Sequence, residues 1–215
     1  VPLLSVDELA GDRDAAWPGL VERINQAFVP VRMHPALPED GRQTLYRLQV
    51  TTRSTLGALA LNCGALEVDH GWVKVLGAGA AGLPDLAFAN GLGEPTAESQ
   101  PPALLVVALD VLGGVFAING GGLGFAPGEV CYWAPDTLNW DSTGMAHSSF
   151  MHALLAGAFS GFYADLRWEG WEAEVQSLPT DHGLSVYPPL FSEQGQDISR
   201  CSRKPVPLAE LATMR

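Results

Sequence analysis

A chain of 215 residues, 47% hydrophobic and 17% charged, has the composition of a folded globular protein and not of a disordered one. Its formal net charge of -12, from 24 acidic against 12 basic residues, argues against nucleic acid or an anionic membrane surface as a partner. The longest apolar run, "ALLVVAL" at Ala103–Leu109, has strand length and falls short of the ~20 residues of a membrane-spanning helix.

The first residues have no basic start and do not read as a secretory signal, so the expected location is the cytoplasm. Cys63, Cys131 and Cys201 are far apart and form no CxxC pair, so neither a disulfide framework nor a zinc site is expected.

In chain order, "SVDE" at Ser5–Glu8 has the spacing of a capping box and opens a first helix. Asp14 and Pro18 start a second, with Trp17, Leu20, Val21, Ile24 and Phe28 on one apolar face. Pro30, Pro35 and Pro38 interrupt the chain before a third helix over about Glu39–Val50. "LGALALNCG" and "ALEVDHGWVKVLG" then read as strands, divided by Gly64 and turned at Asp69–Gly71. A loop rich in Gly and Pro follows from Gly77 to Pro102, with one helical turn at Asp85–Asn90. "ALLVVAL", "GVFAIN", "EVCYWA" and "TLNWD" predict four short strands joined by tight turns, which is the pattern of an antiparallel meander. The last third is helical, with a break at Gly157, a further helix after Gly170 and a short one after Pro207. The reading is α+β: one domain over residues 1–215, with a largely antiparallel sheet and helices from the two ends of the chain packed on it.

Two glycine motifs suggest phosphate binding. Gly77, Gly79 and Gly82 form GxGxxG after a predicted strand, but Pro84 and Pro95 leave no room for the helix a dinucleotide site needs. "FAINGGGLG" at Phe116–Gly124 lacks the Lys and Ser or Thr of a P-loop, and Asn119-Gly120 reads as a turn between strands. His147 and His152 miss the i, i+4 spacing of a metal pair. Asp69-His70 and Asp181-His182 resemble triad fragments, but no GxSxG nucleophile accompanies them. No catalytic, cofactor-binding or metal residue is assigned.

Charge is distributed unevenly. From Val75 to Leu166 there is no Lys or Arg, while the same stretch carries eight acids: Asp85, Glu94, Glu98, Asp110, Glu129, Asp136, Asp141 and Asp165. Such a segment attracts a basic protein. Asp110, Glu129, Asp136 and Asp141 are the expected source of attraction, with Trp133 or Trp140 as the anchor. The expected function is a non-enzymatic protein-binding module. The alternative is a small-ligand-binding protein or an enzyme using the Asp-His turns or the Gly77–Gly82 loop, and a second copy of the chain is the other partner considered.

"GGVFAINGGGLG…GEVCYWAPDTLNW" resembles a family of uncharacterised bacterial proteins known as a domain of unknown function. The resemblance extends through "LYRLQVTTRSTLGAL", "DHGWVKVLG", "FYADLRWEGWEAEV" and "SRKPVPL", most of the chain. A looser likeness to the SUKH superfamily is limited mainly to Gly113–Trp140 and rests on Gly114, Phe116, Asn119, Gly120, Gly121, Val130 and Asp136. That likeness implies a SUKH-like fold and binding of a toxin as an immunity protein does, without chemistry.

Overall fold

Local signals at the helix starts set the first third. The computed structural model describes residues 2–11 and 14–213. Helix α1 (Val6–Ala10) opens on the capping box: the Glu8 amide donates to the Ser5 hydroxyl, and the Ser5 amide to the Glu8 carboxylate. Helix α2 (Trp17–Asn25) carries Pro18 in its first turn and buries Leu20. It ends before Phe28, which projects 87% exposed and does not share the apolar face expected for it. The proline-bounded segment beyond it forms a strand, β1 (Val31–Pro35). Helix α3 (Pro38–Leu48) follows.

"LGALALNCG" is a helix and not the expected strand. Helix α4 (Thr55–Asn62) starts where the Ser54 hydroxyl accepts from the Gly57 amide, and Leu56 to Ala60 are all buried. An apolar run buried on every side has no period, so its pattern cannot separate the two structures. Here the cap and the Ala and Leu content favour helix. The strand begins only at Cys63.

Strands β2 (Cys63–Val68), β3 (Val73–Leu76), β4 (Leu104–Asp110), β5 (Val115–Asn119), β6 (Glu129–Ala134) and β7 (Asn139–Ala146) join β1 in one seven-stranded sheet. Its order is sequential and every neighbour is antiparallel, so the fold is α+β with a meander. The predicted helical turn is α5 (Leu86–Ala89), capped by Asp85. The row Leu66, Val75, Ala108, Phe116, Tyr132 and Asp141 runs across the sheet on one face. This face carries the main core, with Phe116 packed on Phe150 of α6 (His147–Leu155) and on Phe159 of α7 (Phe159–Phe162). The adjacent row Glu67, Lys74, Leu109, Val115, Trp133 and Trp140 faces the other way.

The C-terminal part contributes more than the expected helices. After α8 (Trp171–Gln176), strands β8 (His182–Tyr187) and β9 (Ser202–Pro207) form a separate antiparallel pair, followed by α9 (Leu208–Thr213). They cover part of the second face, where Leu208 and Leu211 cluster with Ala65 and Leu83. No helix among the described residues is long and apolar enough to cross a membrane.

Candidate functional site

A cavity of about 700 Å³ lies on the core face of the sheet at its β6–β7 end. Strand period places Tyr132 and Ala134 of β6 on its floor, with Asp141 of β7 beside Tyr132 in register. The opposite wall is α7, a single helical turn after Gly157, which presents Phe159 and Phe162. Leu190, Gly195 and Gln196, from the loop after β8, close a third side.

The walls are aromatic and the phenols point elsewhere. The Phe162 ring stands edge-on to Tyr132 at 5.1 Å and to Tyr163 at 4.9 Å, and is itself 52% exposed. Tyr132 and Tyr163 both donate to one Asp110 oxygen, at 2.6 and 3.1 Å, while the amides of Leu112 and Gly114 donate to the other. Burial pushes the Asp110 carboxyl up, against bonds that favour its ionised form. Burial and the neighbouring carboxylate push both phenols well above their ordinary value, so they stay protonated donors. A Cβ on Gly114 would lie 2.1 Å from the Asp110 carboxylate and 2.3 Å from the Tyr132 hydroxyl, so only glycine permits this junction.

Three carboxylates line the cavity: half-buried Asp136 in the β6–β7 turn, exposed Asp141 on β7 and exposed Asp165 in a short 3-10 turn, Ala164–Leu166. Among the described residues, no Lys, Arg or His lines it. Most of its lining comes from the stretch that lacks basic residues, so the charge gap seen in the sequence becomes a local electrostatic feature.

The expected residues do not form one surface. Asp136 and Asp141 are brought together at the cavity. Asp110 is 0% exposed, which corrects the expectation that it offers charge at the surface; it is the acceptor that ties β4, β6 and Tyr163 together. Glu129 is half-buried at the far end of β6 and accepts from Ser142 at 2.6 Å. Trp133 and Trp140 are a half-buried cross-strand pair on the opposite face. Trp168 and Trp171 are buried. Asp165, Phe162 and Tyr132 were not picked out for the site. Asp165 belonged to the same charge gap, whereas nothing in the one-turn sequence of α7 sets Phe162 apart.

The alternative sites have structural explanations. The side chain of Asn119 is 0% exposed and organises the "GGGLG" loop, accepting from the Gly121 and Leu123 amides and donating to the Phe125 carbonyl. At the GxGxxG loop, a Cβ on Gly77 would lie 2.0 Å from the Cys63 carbonyl, and one on Gly82 2.5 Å from the Asp181 carboxylate. Close packing therefore accounts for those glycines. Asp69 pairs with Arg167 and not with His70, whose ring meets the edge of Trp171. His182 does bond Asp181, at 2.7 Å. A second cavity of about 130 Å³ touches Arg32, Glu67 and His70. Burial raises the Glu67 carboxyl, but bonds from His34, Arg32 and Thr180 outweigh this and hold it below the usual range. Lys74 beside it is pushed down to about 8 by burial and donates to the carbonyls of Gly71 and His182. The basic tail does not reach the cavity carboxylates: Arg203 pairs with Glu174, and Arg200 with Asp197.

The family described as protein of unknown function DUF2625 matches residues 6–211, from α1 into α9. The chain belongs to this family. The DUF2625 match takes in every residue that lines the large cavity. The chain is 34% identical over 217 residues to "Putative uncharacterized protein YbfG" of Escherichia coli K12, covering 98% of this chain and 94% of that protein. It is 29% identical over 194 residues to an "Uncharacterized protein" of Haemophilus influenzae, covering 88% of this chain and 84% of the relative. No solved structure matches the DUF2625 chain significantly.

Proposed function

We propose that this DUF2625 chain is a non-catalytic binding module acting as one domain in the cytoplasm, and that its large cavity receives a cationic side chain of a basic partner protein. The observation that carries the reading is a cavity of about 700 Å³ with aromatic walls, three carboxylates and, among the described residues, no basic lining residue. Its surroundings suit a macromolecule more than a free metabolite. Phe162 is 52% exposed, and Leu138 and Phe191, chain neighbours of the lining residues Thr137 and Leu190, are 46% and 55% exposed. Large exposed apolar groups gathered beside polar ones mark a docking surface. The four acids expected to attract the partner reduce to Asp136 and Asp141, joined by Asp165. A narrower version, in which the partner is a toxin and the chain its immunity protein, rests on the SUKH likeness alone.

A photo-crosslinking amino acid placed at Thr137, on the cavity, tests the reading when compared with one placed at Lys204 on β9. The expected result is a covalent adduct with a basic protein from position 137 and none from 204. Adducts from 204 only, or the same adducts from both, would overturn it. A small cationic ligand is the second reading, favoured by a volume within the ~300–1,000 Å³ range of ligand pockets.

A further inference from the structure

Two of the chain's part-buried arginines, Arg167 and Arg203, share a setting. The side chain of Arg167, 12% exposed, has its guanidinium 3.9 Å from the Trp171 ring centroid and 4.9 Å from that of Trp72, and pairs with the Asp69 carboxylate. Arg203, 17% exposed, lies 4.2 Å over Trp168 and pairs with Glu174 at 3.2 Å. Each time an aromatic ring meets the guanidinium and a carboxylate takes its N–H groups. Arg203 also donates to the carbonyls of Ile198 and Cys201, so the ring and the carboxylate are what set the arginines apart; the buried lysine, Lys74, donates to the carbonyls of Gly71 and His182. The contrast has a physical cause. A guanidinium is planar and weakly hydrated, so it can stack on a ring and present its N–H fork to a carboxylate, whereas an ammonium holds its water more strongly.

The large cavity has the same composition. It offers the rings of Phe162 and Tyr132, 5.1 Å apart, with Asp141 and Asp165, and no arginine among the described lining residues. The chain has no Lys or Arg between Val75 and Leu166 to provide one locally. We infer that the group docked there is an arginine of the partner protein, stacked on Phe162 with its N–H fork on Asp141 and Asp165. The inference rests on the proposed function and narrows it from any cation to one side chain.

The test uses three capped single residues as probes of the full chain: the N-acetyl N-methylamides of arginine, lysine and citrulline. Binding is followed by NMR through the Phe162 ring signals, identified by their loss in Phe162→Leu; main-chain amide shifts report binding to that variant. The arginine probe is expected to bind about fivefold more tightly than the lysine probe, and the neutral citrulline probe about tenfold more weakly than arginine. Phe162→Leu is expected to bring arginine and lysine within about twofold of each other while both still bind. Asp141→Asn with Asp165→Asn should weaken both. Lysine binding as tightly as arginine, or an arginine preference that survives Phe162→Leu, overturns the arginine inference and leaves the cationic reading standing. Citrulline binding as tightly as arginine overturns both. No shift with any probe up to on the order of 50 mM, well above a millimolar dissociation constant, also overturns both.

Discussion

Asp110 is the residue on which several elements converge. It sits at the end of β4, is 0% exposed and accepts from two amides of the following turn and from two tyrosines. Asp110→Ala would leave four buried donors without an acceptor. We expect it to cost on the order of 3 kcal/mol or more in urea unfolding, with Asp110→Asn costing less because hydroxyls can reorient to accept. Little change in Asp110→Ala would show that this junction does not hold the sheet. His147 makes the opposite case. Both its ring nitrogens are buried with no hydrogen-bond partner among the described residues, and burial pushes its pKa down to about 4. The unfolded chain takes up this proton near pH 6.5, before the folded one does. The neutral ring's contribution is therefore present above that pH and lost as pH falls toward 4, up to ~3 kcal/mol. His147→Leu should raise stability at pH 7 by about 1–2 kcal/mol and remove this part of the acid loss. Urea midpoints at pH 7 and pH 5 check both, and an equal acid loss in the variant would contradict the assignment. Neither role was legible in the sequence, since an Asp before Gly113-Gly114 and a His at a helix start both look like surface residues.

At the scale of elements, β4 to β6 were legible because each is short, apolar and ended by Gly, Pro or Asp, whereas β7 runs on past the expected end at Asp141 to Ala146. Other elements were not, three of them for clear reasons. Helix α4 lacks a periodic pattern because all of Leu56 to Ala60 is buried. Strand β1 lies between Pro30 and Pro35 and pairs on one side only, which is where prolines are tolerated. Strand β9 includes Pro205 and Pro207 and belongs to a two-stranded sheet, so it too is an edge. Proline reads as a breaker in sequence, but at an edge it removes only donors that no neighbouring strand needs. These misreadings bear on the site. The loop between β8 and β9 supplies Leu190, Gly195 and Gln196 to the cavity, and a purely helical tail would not have placed it there.

Across the whole molecule, the cavity draws most of its lining from the longest stretch without Lys or Arg, whereas Arg167 and Arg203 are held by aromatic rings and carboxylates elsewhere. This separation was readable as a gap in the charge pattern. Which acids share a surface was not, because alternate strand positions point to opposite faces. Asp141 and Trp140 are adjacent in sequence but lie on opposite faces of the sheet. Exposed carboxylates act over about a Debye length, ~8 Å at physiological ionic strength, so binding through them should weaken with salt. The most direct measurement of the central claim is capture of proteins from the source cells on the immobilised chain. Wild type would be compared with the combined variant Asp136→Asn, Asp141→Asn and Asp165→Asn, each at low and high salt. A basic protein retained by wild type at low salt, released at high salt and absent from the folded variant is the predicted result. The same protein retained equally by the variant would show that the cavity carboxylates are not where the partner binds.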